Sequence, residues 1–347
     1  MDVVMELVER GLVPDALVRW GIRRLCADKA RLERDGGPTA MAARAAAVRE
    51  AMRTAPIALH TREANTQHYE VPAAFFTHVL GPRMKYSSAW WDGARTLAQA
   101  EEAMLAITAE RADLADGQRI LELGCGWGSL TLWMAEHFPA SHVTAVSNST
   151  SQRAFILARA AERGLTNVEV ITADMNAFAP PAGASYDRVV SVEMFEHMRD
   201  WEGLLARIHG WLAPQGALFV HVFCMRDATY FFEVDGRSDW LARHFFTGGL
   251  MPSETLLADC ARDYTLAGRW RVNGRHYART SRAWLEHQDA ARDALMPILA
   301  ETYGAADAAR WFQRWRLFFM ACEELFGFAT GEDWFVTHAR LVPKREG

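Results

Sequence analysis

The chain has 347 residues, 50% of them apolar, 11% aromatic and 23% charged, with a formal net charge of −5. So apolar and weakly charged a composition excludes disorder as the main theme and is ordinary for a globular protein. The mildly acidic total excludes the strongly basic face of a broad nucleic-acid footprint, and the length allows two domains or one large domain with appendages.

No apolar run approaches the roughly 18 residues of a membrane span, and Asp2 and Glu6 stand where a secretory signal would be basic and then apolar. Five scattered cysteines (Cys26, Cys125, Cys224, Cys260, Cys322) form no C-x-x-C pair, so neither a disulfide framework nor a metal site is expected. A reducing, cytoplasmic setting follows as the expectation. Only Lys29, Lys85 and Lys344 of the 38 basic residues are lysine, which reads as coding bias.

Residues 3 to about 55 read as helix, with Pro14 near a helix start and Asp35-Gly36-Gly37-Pro38 as a break; a polar helix then leads to Asn65. Arg19, Arg23 and Arg24 form either a solvated helix face or a basic face for a membrane surface or partner. From Gln118 the pattern becomes strand, helix, strand, helix. Strands are expected at Arg119 to Leu123, His142 to Val146, Val168 to Thr172, Asp187 to Val192 and Gly216 to Phe223. Helices are expected at Ser129 to His137, Ser151 to Arg163 and Trp201 to Leu212. Short apolar strands alternating with helices predict an α/β fold with a buried, doubly wound, mostly parallel sheet. Beyond Cys224 the regularity fades, with a loop over Phe245 to Pro252 and mainly helix from Ser281 to Phe326. The expected division is a helical N-terminal segment (1–64), a core (65–225) and a helical cap returning to the core (226–347).

The strongest signal for chemistry is Leu121-Glu122-Leu123-Gly124-Cys125-Gly126-Trp127-Gly128. Glycines at alternate positions after a strand let the backbone turn tightly and approach a ligand at a helix N-terminus. Dinucleotide enzymes space theirs G-x-G-x-x-G and place an acid about 20 residues on. The G-x-G-x-G spacing here, preceded by Glu122, resembles the class I methyltransferases, a Rossmann-like fold, and implies S-adenosyl-L-methionine as cofactor. Glu122, Gly124 and Gly126 are the first candidate cofactor contacts. Methyltransferases usually carry an acid for the ribose hydroxyls after the second strand; here Asn148 and Gln152 stand there and can hydrogen-bond hydroxyls. After the third strand, Asp174 suits the adenine amino group and Met175 the ring face.

Two further segments narrow the family. His68-Tyr69-Glu70 with Leu80-Gly81-Pro82-Arg83-Met84-Lys85-Tyr86-Ser87-Ser88-Ala89-Trp90, and Ser191-Val192-Glu193-Met194-Phe195-Glu196-His197-Met198, resemble the cyclopropane-fatty-acid synthases and their relatives. Within that superfamily, the Glu193–Glu196–His197 triplet, Phe245 to Ser253, Asn273 to Thr280, Glu324 to Gly327 and Gly331 to Trp334 look closer to the coclaurine N-methyltransferase branch. The similarity spans about Gly11 to Pro343.

The resemblance implies N-methylation of a small aromatic or cyclic amine, with Tyr86 and Ser87 added to the cofactor contacts. C-methylation or cyclopropanation of an unsaturated acyl chain is the alternative, and only that reading brings in a membrane; a homodimer is left open. An amine attacks only when neutral, so an ammonium substrate needs a proton acceptor. Spacing of three and four would put Glu193 on one helical face with Glu196 and His197, and clustered carboxylates raise one another's pKa. By resemblance to the synthases, Glu196, His221 and Tyr277 fall where those enzymes hold a bicarbonate. Ser88 stands in place of their cysteine, Phe223 of an isoleucine and Glu193 of a glycine, which weakens the cyclopropanation reading. Trp90, Trp91, Phe231, Phe232, Trp240, Phe245 and Phe246 flank the expected site as core or as an aromatic cage for a cationic amine.

Overall fold

From Ile120 onward every residue of β1 (Arg119–Leu123) is buried, because helices cover both faces of the strand. The computed structural model describes residues 3–59, 71–232 and 240–344, so His68-Tyr69-Glu70 and the end of the helix expected to reach Asn65 lie outside the described residues. Parallel to β1 run β2 (His142–Ser147), β3 (Val168–Thr172), β4 (Tyr186–Val192) and β5 (Leu212–Met225). Two antiparallel strands, β8 (Tyr264–Val272) and β9 (Trp334–Pro343), complete a seven-stranded sheet of order β3-β2-β1-β4-β5-β9-β8. Two short strands, β6 (Tyr230–Phe231) and β7 (Leu250–Met251), pair separately. The fold is therefore α/β and doubly wound. Its strand order reverses between β1 and β4, and the crevice beyond their carboxyl ends is where such sheets bind ligands.

β8 and β9 replace the irregular tail expected beyond Cys224. β8 is an edge strand that is mostly exposed and carries Gly268, Arg269 and Arg271. Thr337, His338 and Arg340 interrupt the apolar run of β9. Neither has the continuous apolar signature of β1 to β4. Between these two strands lie three helices, Gly274–Ala290, Arg292–Tyr303 and Ala308–Gly327, which pack aromatic side chains such as Trp284, Trp315 and Phe319 into the core.

The N-terminal region is three helices, Val3–Glu9, Asp15–Arg34 and Gly37–Arg53, with Pro14 preceding the second and Gly36 in the left-handed region between the second and third. Its basic face is anchored by ion pairs at one end and exposed at Arg23 and Arg24. Arg19 meets Glu323 at 2.8 Å and Glu324 at 2.9 Å, and Arg23 meets Glu324 at 2.9 Å, docking this helix on Ala308–Gly327; Arg24 pairs only with Asp28. Among the described residues, no helix is long and apolar enough to cross a membrane.

Candidate active site

The glycine turn sits between β1 and the helix Ser129–His137, at the point of strand-order reversal. Gly124, Gly126 and Gly128 have φ of 79°, 52° and 78°, a left-handed backbone that side chains disfavour. Their reasons differ. A Cβ on Gly124 would lie 2.5 Å from Met194 Cγ, and one on Gly128 would lie 2.6 Å from Ile156 Cγ1. A Cβ on Gly126 would meet nothing within 4 Å, because that position opens onto a cavity of about 210 Å³.

Glu122, at the end of β1, lines this cavity with its carboxylate accepting from Thr131 Oγ1. Burial pushes it up to about 8. Tyr86, Ser87, Asn148, Gln152 and Met175 also line the cavity. Gln152 Oε1 accepts from Ser147 Oγ at 2.6 Å, which fixes the amide at the end of β2. Asp174 departs from the expectation. It is absent from the cavity wall, and its Oδ1 accepts from the Asn176 N–H at 2.8 Å, closing the turn after β3.

The acidic triplet is not helical. Glu193 has φ 48° and ends β4, while Phe195–His197 is a single 3₁₀ turn. Glu193 therefore shares no helical face with Glu196 and His197: the chain reverses hand at Glu193 before turning. That reversal swings the Glu193 carboxylate into a cluster of donors from distant elements. Its Oε1 accepts from the Ser88 N–H at 3.0 Å and lies 3.1 Å from His221 Nε2. Its Oε2 accepts from the Tyr277 hydroxyl at 2.7 Å. Burial pushes Glu193 up, opposed by the Lys85 charge, the Ser88 N–H and the Tyr277 hydroxyl.

Glu196 is placed differently. Its Oε1 accepts from the Phe223 N–H at 2.7 Å, whereas its Oε2 is buried with no hydrogen-bond partner among the described residues. Burial, with the Glu193 charge added, holds it well above the usual carboxylate range. Glu193, His197 and Tyr277 reach the cavity wall; Glu196 and His221 stand behind it. His197 packs against Phe246 with ring centroids 4.5 Å apart.

Of the seven aromatics expected to flank the site, only Phe246 lines the cavity, where it joins Phe223, Trp284 and Phe318. The others serve packing. Trp90 stacks on His276 at 4.4 Å, and Trp91 donates to Thr280 Oγ1. Phe231 lies under the Arg199 guanidinium, Phe232 meets Phe246 edge-on, Trp240 donates to Glu9, and Phe245 stacks on Phe318.

Lys85 is a site residue that motif reading passed over. It is buried on the cavity wall, its Nζ donates to Ser87 Oγ, and Glu101, Glu122 and Glu193 surround it. Burial lowers it to about 8 despite those carboxylates. A sequence signal did exist, since a lysine retained in a chain that otherwise uses arginine is itself unusual. Among the described residues, no group of three or more His, Cys, Asp or Glu side chains could hold a metal.

Open space above Gly126, a buried carboxylate at Glu122, two amides at Asn148 and Gln152, and an apolar surface at Met175 fit a nucleoside joined to an amino acid. Together with the doubly wound sheet, they define a methyltransferase that uses S-adenosylmethionine. The chain is similar to solved structures of such enzymes. Coclaurine N-methyltransferase, bound to N-methylheliamine and S-adenosylhomocysteine, is 32% identical with a TM-score of 0.93, covering 97% of this chain and 98% of that one. The cyclopropane synthase MmaA2 of Mycobacterium tuberculosis, 23% identical with a TM-score of 0.67 over 82% of this chain and 98% of its own, shares the fold.

The model of the mycolic acid cyclopropane synthetase family matches residues 58–332, and the chain belongs to that family. Among curated relatives, the (S)-coclaurine N-methyltransferase of Thalictrum flavum subsp. glaucum is 34% identical over 99% of this chain and 96% of its own length. The cyclopropane-fatty-acyl-phospholipid synthase of Escherichia coli (strain K12) is 28% identical over 80% of this chain and 67% of its own.

Proposed function

We propose that this enzyme methylates the nitrogen of a small aromatic or cyclic amine. One observation carries the reading: the Glu193 carboxylate already accepts from His221 Nε2 and the Tyr277 hydroxyl, the donors that the resemblance assigns to bicarbonate in the cyclopropane synthases. A carboxylate fixed to the protein leaves no room for a free one. The full-length likeness to an (S)-coclaurine N-methyltransferase supports the same conclusion.

Glu122, Gly124, Gly126, Asn148, Gln152 and Met175, with Tyr86 and Ser87, would hold S-adenosylmethionine, which would supply an electrophilic methyl group on sulfur. The remaining work is positioning and proton management. A carboxylate has about four acceptor sites; three are taken on Glu193, so one remains for an ammonium N–H. The aromatic wall of Phe223, Phe246, Tyr277 and Trp284 suits the rest of a cationic ring. Glu193 then takes the ammonium proton, beside His197, which leaves the nitrogen lone pair free for in-line attack. Glu196, held neutral behind it, keeps a second negative charge out of the pocket, a charge that would raise Glu193 further and leave it protonated before the amine arrives.

The test offers methyl-labelled cofactor to a panel of cyclic secondary amines and, separately, to vesicles of unsaturated phospholipid, each with and without bicarbonate. Label in the amine, indifferent to bicarbonate, is expected. Label only in acyl chains, with bicarbonate required, would replace this reading by cyclopropanation.

A further inference from the structure

Glu193 is the end of a longer chain of hydrogen bonds that runs across β5 and β9 to a helix packed on them. The register of the sheet places His221 on β5 directly opposite His338 on β9. His338 Nε2 lies 3.0 Å from His221 Nδ1, and Arg111 Nη1 lies 2.9 Å from His338 Nδ1. Arg111 comes from the helix Leu97–Ala112, and its guanidinium lies 5.5 Å from the ring of Trp90 and 5.4 Å from that of Trp270. Both histidines are fully buried.

An arginine can only donate. His338 Nδ1 must therefore accept, which leaves the proton of a neutral imidazole on Nε2. That proton points at His221 Nδ1, which must accept in turn, so His221 carries its own proton on Nε2, facing Glu193. We propose that Arg111 and His338 are positioning residues for the methyl-transfer site, fixing the tautomer of His221 so that it donates to Glu193 and keeps that carboxylate the anion that receives the amine. Burial lowers both imidazoles well below their ordinary range, as a neutral pair requires. The opposite tautomer of His221 would set a lone pair against Glu193 and be tolerated only with that carboxyl protonated. The other titratable groups about Glu193 and His221 are Lys85, Glu196, Tyr277 and Cys322.

The amine arm of this inference rests on the proposed N-methylation; the tautomer arm does not. In protein labelled with ¹⁵N-histidine, the ring-nitrogen shifts of His221 and His338 should both report the Nε2–H tautomer between pH 6 and 9 without any substrate. A His221 carrying its proton on Nδ1 would overturn the proposal. With an amine substrate, Arg111→Met and His338→Leu should each cut kcat/KM about tenfold and move its acid limb to higher pH. His338→Gln should restore the wild-type profile, because its amide can accept from Arg111 and donate to His221. An unmoved limb in both disruptive variants, or a glutamine variant no better than leucine, would show a packing role only. Should the disruptive variants fail to fold, the wild-type tautomers still decide the question.

Discussion

Replacing Glu193 by glycine tests the site at its centre. The substitution removes the acceptor shared by the Ser88 N–H, His221 Nε2–H and Tyr277 hydroxyl, at 3.0, 3.1 and 2.7 Å. Each buried donor left unpaired costs about 1–3 kcal/mol. The backbone itself accepts the change. With φ at 48°, glycine relieves about 1–2 kcal/mol of left-handed strain and returns a similar amount through the freedom of the unfolded chain. Removing a buried charge also recovers part of its desolvation cost. The net loss should be about 2–4 kcal/mol, a fall of several degrees in Tm. Three convergent donors beside the buried Lys85 then form a vacant anion site. Formate or bicarbonate at 100 times its Kd should restore about 2.7 kcal/mol, and amine methylation should rise at least tenfold from its depressed level. The assay is thermal unfolding and methyl transfer, each titrated with formate, bicarbonate and chloride. A variant as stable as wild type and indifferent to all three anions would refute the geometry argued here. So would a wild-type enzyme that itself needs bicarbonate.

Gly126→Val should abolish S-adenosylhomocysteine binding in calorimetry while costing only backbone strain of about 1–2 kcal/mol, because no neighbour stands within 4 Å of the new Cβ. Undiminished binding would remove the glycine turn from the site. Glu122→Gln should weaken the cofactor yet flatten the pH dependence of stability in its absence. The Glu122 pKa is raised to about 8 in the fold, so its contribution is intact below the ordinary carboxylate range and lost as pH rises toward 8; denaturant midpoints at pH 5 and 8 check this. Glu196→Gln and His197→Ala should each lower kcat substantially, with the double variant losing less than the product of the two factors, as for groups acting together. Glu193→Gln should lower the pH at which Glu196 ionises, followed by its carboxyl ¹³C shift, since the Glu193 charge raises Glu196; an unmoved titration would show that the two carboxyls are not coupled.

How much of this was legible in the sequence depends on how local each signal is. β1 and β2 could be read because strands buried on both faces are apolar runs, β3 and β4 because short β-branched segments alternate with helices, and the glycine turn because three glycines in five residues have few other uses. The antiparallel half could not. β8 alternates between exposed and half-buried residues, and β9 carries a histidine whose burial makes sense only beside His221. Glu193, Glu196 and His197 were found as residues and misjudged as geometry. Spacings of three and four argue for one face only along a helix, and a residue that directly ends a strand is where the backbone most often departs from it. Tyr277 and His221 could be reached only by resemblance, since a lone tyrosine on a helix and a lone histidine in an apolar strand carry no chemical signal of their own.

Arg111 and His338 had no sequence signal. They lie 227 residues apart, and their meeting is a product of sheet register and of one helix crossing β5 and β9. The physical order of dependence runs opposite to legibility. The residues easiest to read, in the glycine turn, owe their shape to their own backbone. The chemistry at Glu193 owes its shape to five separate elements that agree on one carboxylate: the end of β4, the Ser88 loop, β5, β9 behind it and the helix bearing Tyr277. A change in any one of them reaches the reacting nitrogen through that side chain. Substitutions remote in sequence, such as Arg111→Met, should therefore alter the pH profile of an enzyme whose cofactor affinity is unchanged.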